Sequence, residues 1–148
     1  MIFLFDVNLL LALFDPSHLS HETAHRWFGV EKRAWASCPV TEAGFVRVAS
    51  QPKYPGRIGS ADEVLERLEI FRKGTDHRFW AEGFSLADSA RVRLDGSIAP
   101  NHLTDLYLLA LAVRHGGKLA TFDARIPVRA VPKGKAALEM ILMPNPTD

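Results

Sequence analysis

The chain has 148 residues, enough for one domain with a sizeable core. Its hydrophobic content of 47%, charged content of 24% and net charge of +1 are those of an ordinary globular protein. They exclude a generally basic nucleic-acid coat but leave room for a local basic groove.

The single cysteine, Cys38, excludes an internal disulfide framework and fits a reducing, cytoplasmic setting. Met1 to Phe14 is apolar, but it lacks a basic leader, carries Asp6 and Asn8, and stops at Asp15-Pro16. It is too short to span a bilayer, so no membrane role is expected. A strand at Ile2–Phe5 followed by a buried helix at Asn8–Phe14 explains it better, with Asp6 at the carboxyl end of the strand.

A helix over His18–Val30 follows. It contains His21-Glu22-Thr23-Ala24-His25, the H-E-x-x-H pattern that puts two imidazoles on one helix face for zinc and supplies a glutamate base. The extended form of that motif wants Gly at position 28 and His at 31, where this chain has Phe28 and Glu31. A polar helix face with Ala24, Trp27 and Phe28 buried is the simpler account, and a zinc hydrolase is the competing one.

Ala34–Val40 reads as a second strand with Pro39 at its end, and Cys38 as a small buried residue. Thr41-Glu42 opens a helix to Ser50, with the threonine as cap. Gln51–Gly59 reads as a mobile, mildly basic loop, in which Lys53 and Arg57, with Arg47 before it, are candidates for phosphate contact. Ser60-Ala61-Asp62-Glu63 is a capping box. It starts a helix to Lys73 that buries Val64, Leu65, Leu68 and Phe71. His77–Trp80 is a short strand and Ser85–Leu94 one or two helical turns. Trp27, Trp35 and Trp80 are expected in the core or at a subunit surface.

The stretch His102–Asp123 organises the chain. Leu106, Leu109, Ala110 and Val113 form a helical stripe capped by Thr104, with Asp105 in the first turn. Gly116-Gly117 supplies a left-handed exit. Lys118–Phe122 is a buried strand ending at Asp123. Ala137–Met143 is a last strand or helix, and 144–148 a loose tail of the same domain.

Asp6 and Asp123 thus end strands, while Glu42 and Asp105 begin helices, where the dipole favours ionised acids. In an open parallel α/β sheet all four can face one crevice. Clustered carboxylates repel, and a hard divalent cation, Mg²⁺ or Mn²⁺, relieves this. Such a site suits a nuclease or a phosphatase.

Asp-Val-Asn-Leu-Leu-Leu-Ala-Leu at 6–13, Thr-Glu at 41–42, His-Leu-Thr-Asp at 102–105 and Leu-Ala-Thr-Phe-Asp at 119–123 resemble a PIN domain. More narrowly, they resemble the VapC-type toxins of bacterial toxin–antitoxin modules, as do His-Arg-Trp-Phe at 25–28 and His-Arg-Phe-Trp at 77–80. The resemblance implies a single α/β/α sandwich with a central, mainly parallel sheet, and RNA cleavage dependent on Mg²⁺ or Mn²⁺. It also implies a VapB-type antitoxin and a homodimer. It makes Asp6 and Asp105 the principal metal ligands. Glu42 completes the pocket and Asp123 is the fourth acid, with Asn8 and Thr121 in orienting roles. It gives His21 and His25 no role. A catalytically silent binding module and a phosphodiesterase acting on DNA or flaps are the remaining readings.

Overall fold

The computed structural model describes residues 1–81 and 83–145, so the expected loose tail at 144–148 falls in part outside the described residues. Five short strands, β1 (Ile2–Phe5), β2 (Ala34–Ser37), β3 (His77–Phe79), β4 (Lys118–Thr121) and β5 (Leu138–Met140), form one sheet in the order β3-β2-β1-β4-β5. Every neighbouring pair is parallel, with Leu4 opposite Ala36 on one side and Leu119 on the other. All carboxyl ends therefore meet one edge of the sheet.

Side chains alternate across the sheet, as the two-residue period of a strand demands. Phe3, Phe5, Trp35 and Ala120 pack on one side. There they meet α1 (Val7–Phe14), α2 (His21–Val30), α3 (Pro39–Ala49) and α4 (Ala61–Gly74), through Leu9, Leu10, Ala24, Phe45, Val64 and Leu68. Leu4, Ala36 and Leu119 face the other way, toward α5 (Leu103–Arg114) and the segments carrying Trp80, Val92, Ile126 and Val131. This is the expected α/β/α sandwich. Burial on both faces is why the strands are continuous apolar runs rather than alternating ones. Among the described residues no helix is long and apolar enough to cross a membrane.

Several local expectations need correction. The helix after β2 opens at Pro39, with Cys38 as its cap, not at Thr41. Proline is favoured at a first helical position, where its missing N–H leaves nothing unpaired. Thr41 lies a turn inside, and its hydroxyl accepts from the Cys38 N–H at 3.0 Å. Likewise α5 begins at Leu103 behind a 3₁₀ turn over Pro100–His102, so Thr104 is not its cap. Both revised helices still carry their acid, Glu42 or Asp105, in the first turn. Leu65 is 52% exposed, and Ser85–Leu94 forms turns rather than a helix.

Other expectations hold. Gly116 has φ of +67°, the left-handed exit predicted for it. Cys38, Trp35 and Trp80 are buried. Ala137–Met143 contributes the edge strand β5. The segment 51–59, expected as a mobile loop, is instead tied down: Tyr54 donates to the Asp15 carboxylate at 2.9 Å, and the Ile58 N–H to the Ala49 carbonyl at 3.0 Å.

Candidate active site

Asp6 stands where β1 turns into α1. Its Oδ1 accepts from the Leu9 N–H at 2.7 Å, so the residue caps α1 as well as ending the strand. The neighbouring strand β4 delivers Thr121 and, two residues later, Asp123 to the same edge. Helix α5 starts there with Asp105. These carboxylates, with Asn8, Thr104 and Thr121, line one cavity of about 280 Å³.

The electrostatics divide the acids into two kinds. Asp6 is buried, and burial pushes its carboxyl up to about 6. The Thr121 hydroxyl and the Leu9 amide oppose the rise, while Asp105 and Asp123 add to it. Asp105 is also raised, by burial first and then by the Asp123 charge. The helix dipole was expected to keep Asp105 readily ionised. Desolvation and a like charge outweigh it. Asp123 is held below the usual range, because Arg125 donates to it through its side chain (Nε to Oδ1, 3.1 Å) and its backbone N–H (2.9 Å).

Glu42 is not brought into this cavity. It lines a neighbouring one of about 670 Å³, with Arg72 and His77. There its Oε2 accepts from the Ser37 hydroxyl at 2.5 Å and pairs with Arg72 at 3.3 Å. Its helix nevertheless adjoins the acidic cavity, since a Cβ on Gly44 would come within 2.8 Å of Val7, one of that cavity's lining residues. Among the described residues, Asp6 and Asp105 thus have no ion-pair partner, while Glu42 and Asp123 are held by arginines. Consistent with that, among the described residues no three carboxylate, imidazole or thiol groups already form a metal cage.

Residues 3–132 match the sequence profile of the PIN domain. The chain belongs to the PIN-domain family. Among curated proteins it is similar to Ribonuclease VapC44 of Mycobacterium tuberculosis, at 44% identity over 133 residues, which is 87% of this chain and 91% of that protein. It is 41% identical to Ribonuclease VapC38 of the same organism over 140 residues, 93% of this chain and 96% of that one. Ribonuclease VapC39 follows at 36% over 124 residues, 83% and 89% of the two chains.

The PIN-domain assignment leaves the H-E-x-x-H pattern to be explained, and the structure explains it. His21 Nδ1 bonds the Ala12 carbonyl and His25 Nε2 the Leu13 carbonyl, each at 2.7 Å. These carbonyls end α1, where a helix has no partners of its own for them. Each imidazole thus has a structural partner, Glu22 is exposed, and among the described residues no third ligand joins the pair to form a metal site. The helical spacing that suits two metal ligands equally suits two donors to successive carbonyls.

Arg47, Lys53 and Arg57 do not line the acidic cavity. Arg57 Nε donates to the Ser50 carbonyl at 3.2 Å. The cation that does reach an acid of the cavity is Arg125, which the sequence reading missed. The one available signal was its position two residues after Asp123, the spacing at which an aspartate accepts from the backbone ahead of it.

Proposed function

We propose that this PIN-domain chain is a metal-dependent endoribonuclease, the toxin of a type II toxin–antitoxin pair. The observation that carries the reading is the pair of unneutralised acids, Asp6 and Asp105, forced together at the carboxyl edge of a parallel sheet. Both are raised above their ordinary range by burial first and then by neighbouring acids, which a cation would offset. The donors at hand are carboxylate, hydroxyl and amide oxygens, and the cavity lining holds no imidazole or thiol. That set suits Mg²⁺ or Mn²⁺, which need only one or two carboxylates and keep several waters. Asp6 and Asp105 would hold the ion with Asp123 beside them, and Glu42 would complete the site once freed from Arg72. Once bound, such an ion supplies an acidified water and stabilises charge on a phosphodiester.

The chain's own groups then do the positioning. Ser20 N–H donates to His18 Nδ1 at 3.0 Å, which leaves the proton on Nε2 to be donated to Asn8 Oδ1 at 3.1 Å. Among the described residues the Asn8 amide nitrogen has no partner, so it can donate to a phosphate oxygen. The Thr121 hydroxyl accepts from the Asp123 N–H at 3.1 Å and fixes the turn that presents this acid. Arg125 is 82% exposed beside it, in place to meet substrate phosphate.

The substrate class and the partner are supported by the relatives, each named as a ribonuclease of the VapC type. We take RNA as substrate, a VapB-type antitoxin and a second copy of the chain as partners, and the cytoplasm as location. The test is cleavage of a mixed cellular RNA pool by folded, antitoxin-free protein with Mg²⁺, Mn²⁺ or EDTA. Cleavage should require the ion and vanish in Asp105→Asn. No cleavage with either ion, or cleavage indifferent to EDTA, would overturn the proposal.

A further inference from the structure

Glu42 sits in a closed ring of polar contacts whose hydrogens can be assigned without conflict. Arg72 Nε donates to His77 Nδ1 at 3.3 Å, so that nitrogen carries the lone pair. His77 Nε2 then carries the proton and gives it to Ser37 Oγ at 2.7 Å. Ser37 in turn donates to Glu42 Oε2 at 2.5 Å, and Arg72 Nη1 closes the ring on the same oxygen at 3.3 Å.

The ring is held from outside. Ser37 is fully buried, Trp35 packs against the His77 imidazole with centroids 4.4 Å apart, and the Arg72 guanidinium lies 5.4 Å from the Phe79 ring centroid. Burial, followed by the charges of Arg72 and Arg78, pushes His77 down to about 4, so it remains neutral at physiological pH. The trio is not a nucleophile relay. There the imidazole stands between serine and acid, whereas here the serine stands between imidazole and acid.

Glu42 is nonetheless next to the acidic cavity. It lies in the first turn of α3. Two residues on, Gly44 abuts Val7 of that cavity. Two residues back, Val40 lines an apolar groove together with Thr104, which also lines the acidic cavity. The segment that carries Glu42 thus flanks the acidic cavity on both sides of that residue.

We propose that Arg72, closing this ring with Ser37 and His77, withholds the Glu42 carboxylate from the three-aspartate cavity, and that release of Glu42 raises the cavity's affinity for a divalent cation. Arg72 and Ser37 are then positioning residues acting through Glu42. The inference rests on the metal-site reading given above. Its physical basis is competition: one carboxylate is shared between an arginine with a serine on one side and a cation with two raised aspartates on the other. A ligand shifts such an equilibrium only by its differential affinity for the two states.

The test is Mn²⁺ binding, followed by electron paramagnetic resonance of the free ion, with no RNA and no turnover. Arg72→Met keeps the stem against Phe79 and removes the charge. Ser37→Ala cuts the other bond with little change of volume. Both should tighten Mn²⁺ binding, Arg72→Met by about fivefold, the usual size of a coupling between neighbouring groups. In a Glu42→Gln background neither should do so. Unchanged affinity in both variants overturns the inference. So does equal tightening with and without Glu42, which would mark a general charge effect. An Asp105→Asn control separates the levels. If wild-type protein binds Mn²⁺ and Asp105→Asn does not, the metal site stands whatever Arg72 does. If they bind alike, the metal site itself fails and the inference with it.

Discussion

Asp6→Asn should inactivate the protein and stabilise it. In the folded chain the Asp6 carboxyl is raised from 3.8 to about 6. A shift of about two units corresponds to about 3 kcal/mol of differential stability. The sign follows from which state solvates the charge better. Above pH 6 the folded protein must keep a buried carboxylate ionised, while the unfolded chain holds it in water, so ionisation favours unfolding. The penalty shrinks as pH falls from 6 and is gone below about 4, where both states are protonated. Asparagine removes it without losing the cap, since its Oδ1 still accepts from the Leu9 N–H, and Asn and Asp cap helices equally well. In EDTA at pH 7.5 the variant should gain roughly 6 to 12 °C in melting temperature, at about 2–4 °C per kcal/mol for a chain of this size. Urea unfolding at pH 4, 5, 6 and 7.5 should show the gain growing with pH. A gain that is flat across this range, or a loss at pH 7.5, would refute the reasoning.

If Asp6 holds the ion as proposed, Mn²⁺ binding should weaken by up to tenfold per pH unit below about 6 and release a proton there, because a ligating carboxyl must be ionised; calorimetry in two buffers of different ionisation enthalpy measures that proton. His21→Ala and His25→Ala should each cost about 1 kcal/mol in urea unfolding, the net worth of one hydrogen bond to the end of α1. Elemental analysis of the purified protein should find no stoichiometric zinc, whereas one zinc per chain lost in His21→Ala would restore the zinc-site reading. Gly56→Ala should destabilise by about 1–3 kcal/mol, since its Cβ would fall 2.0 Å from Asp15 Oδ2 and force the anchored loop away. Tyr54→Phe should cost about 1 kcal/mol by removing the donor from Asp15, while keeping the ring in place.

The strands and most helices were legible because a parallel sheet covered on both faces writes itself as short apolar runs between amphipathic segments. Helix starts were less legible. Thr41 and Thr104 look like caps, but a proline at the first position of α3 and a 3₁₀ turn before α5 moved each start upstream. The acids kept their places because a first turn spans several residues. Asp6 is legible as the acid that ends β1, and the structure adds that the same side chain caps α1. The side chains that hold the acids were not legible. Arg125 is close in sequence to Asp123, but Arg72 reaches Glu42 across 30 residues through the packing of α4 on α3, which periodicity does not reveal. The two histidines show the converse: a local pattern with strong chemical associations was satisfied by hydrogen bonds to the preceding helix.

Helix α1 has eight residues and is therefore about 12 Å long. One end carries Asp6, and the other is clamped by His21, His25 and the Asp15 anchor of the 51–59 loop. In so short and buried an element, a tilt at the clamp would displace the carboxylate at the far end. Substitutions at Tyr54, Gly56 or the histidine pair should lower turnover in protein that remains folded, although none of these residues meets the substrate. A screen for inactive variants should accordingly return two clusters, one lining the acidic cavity and one a helix length away.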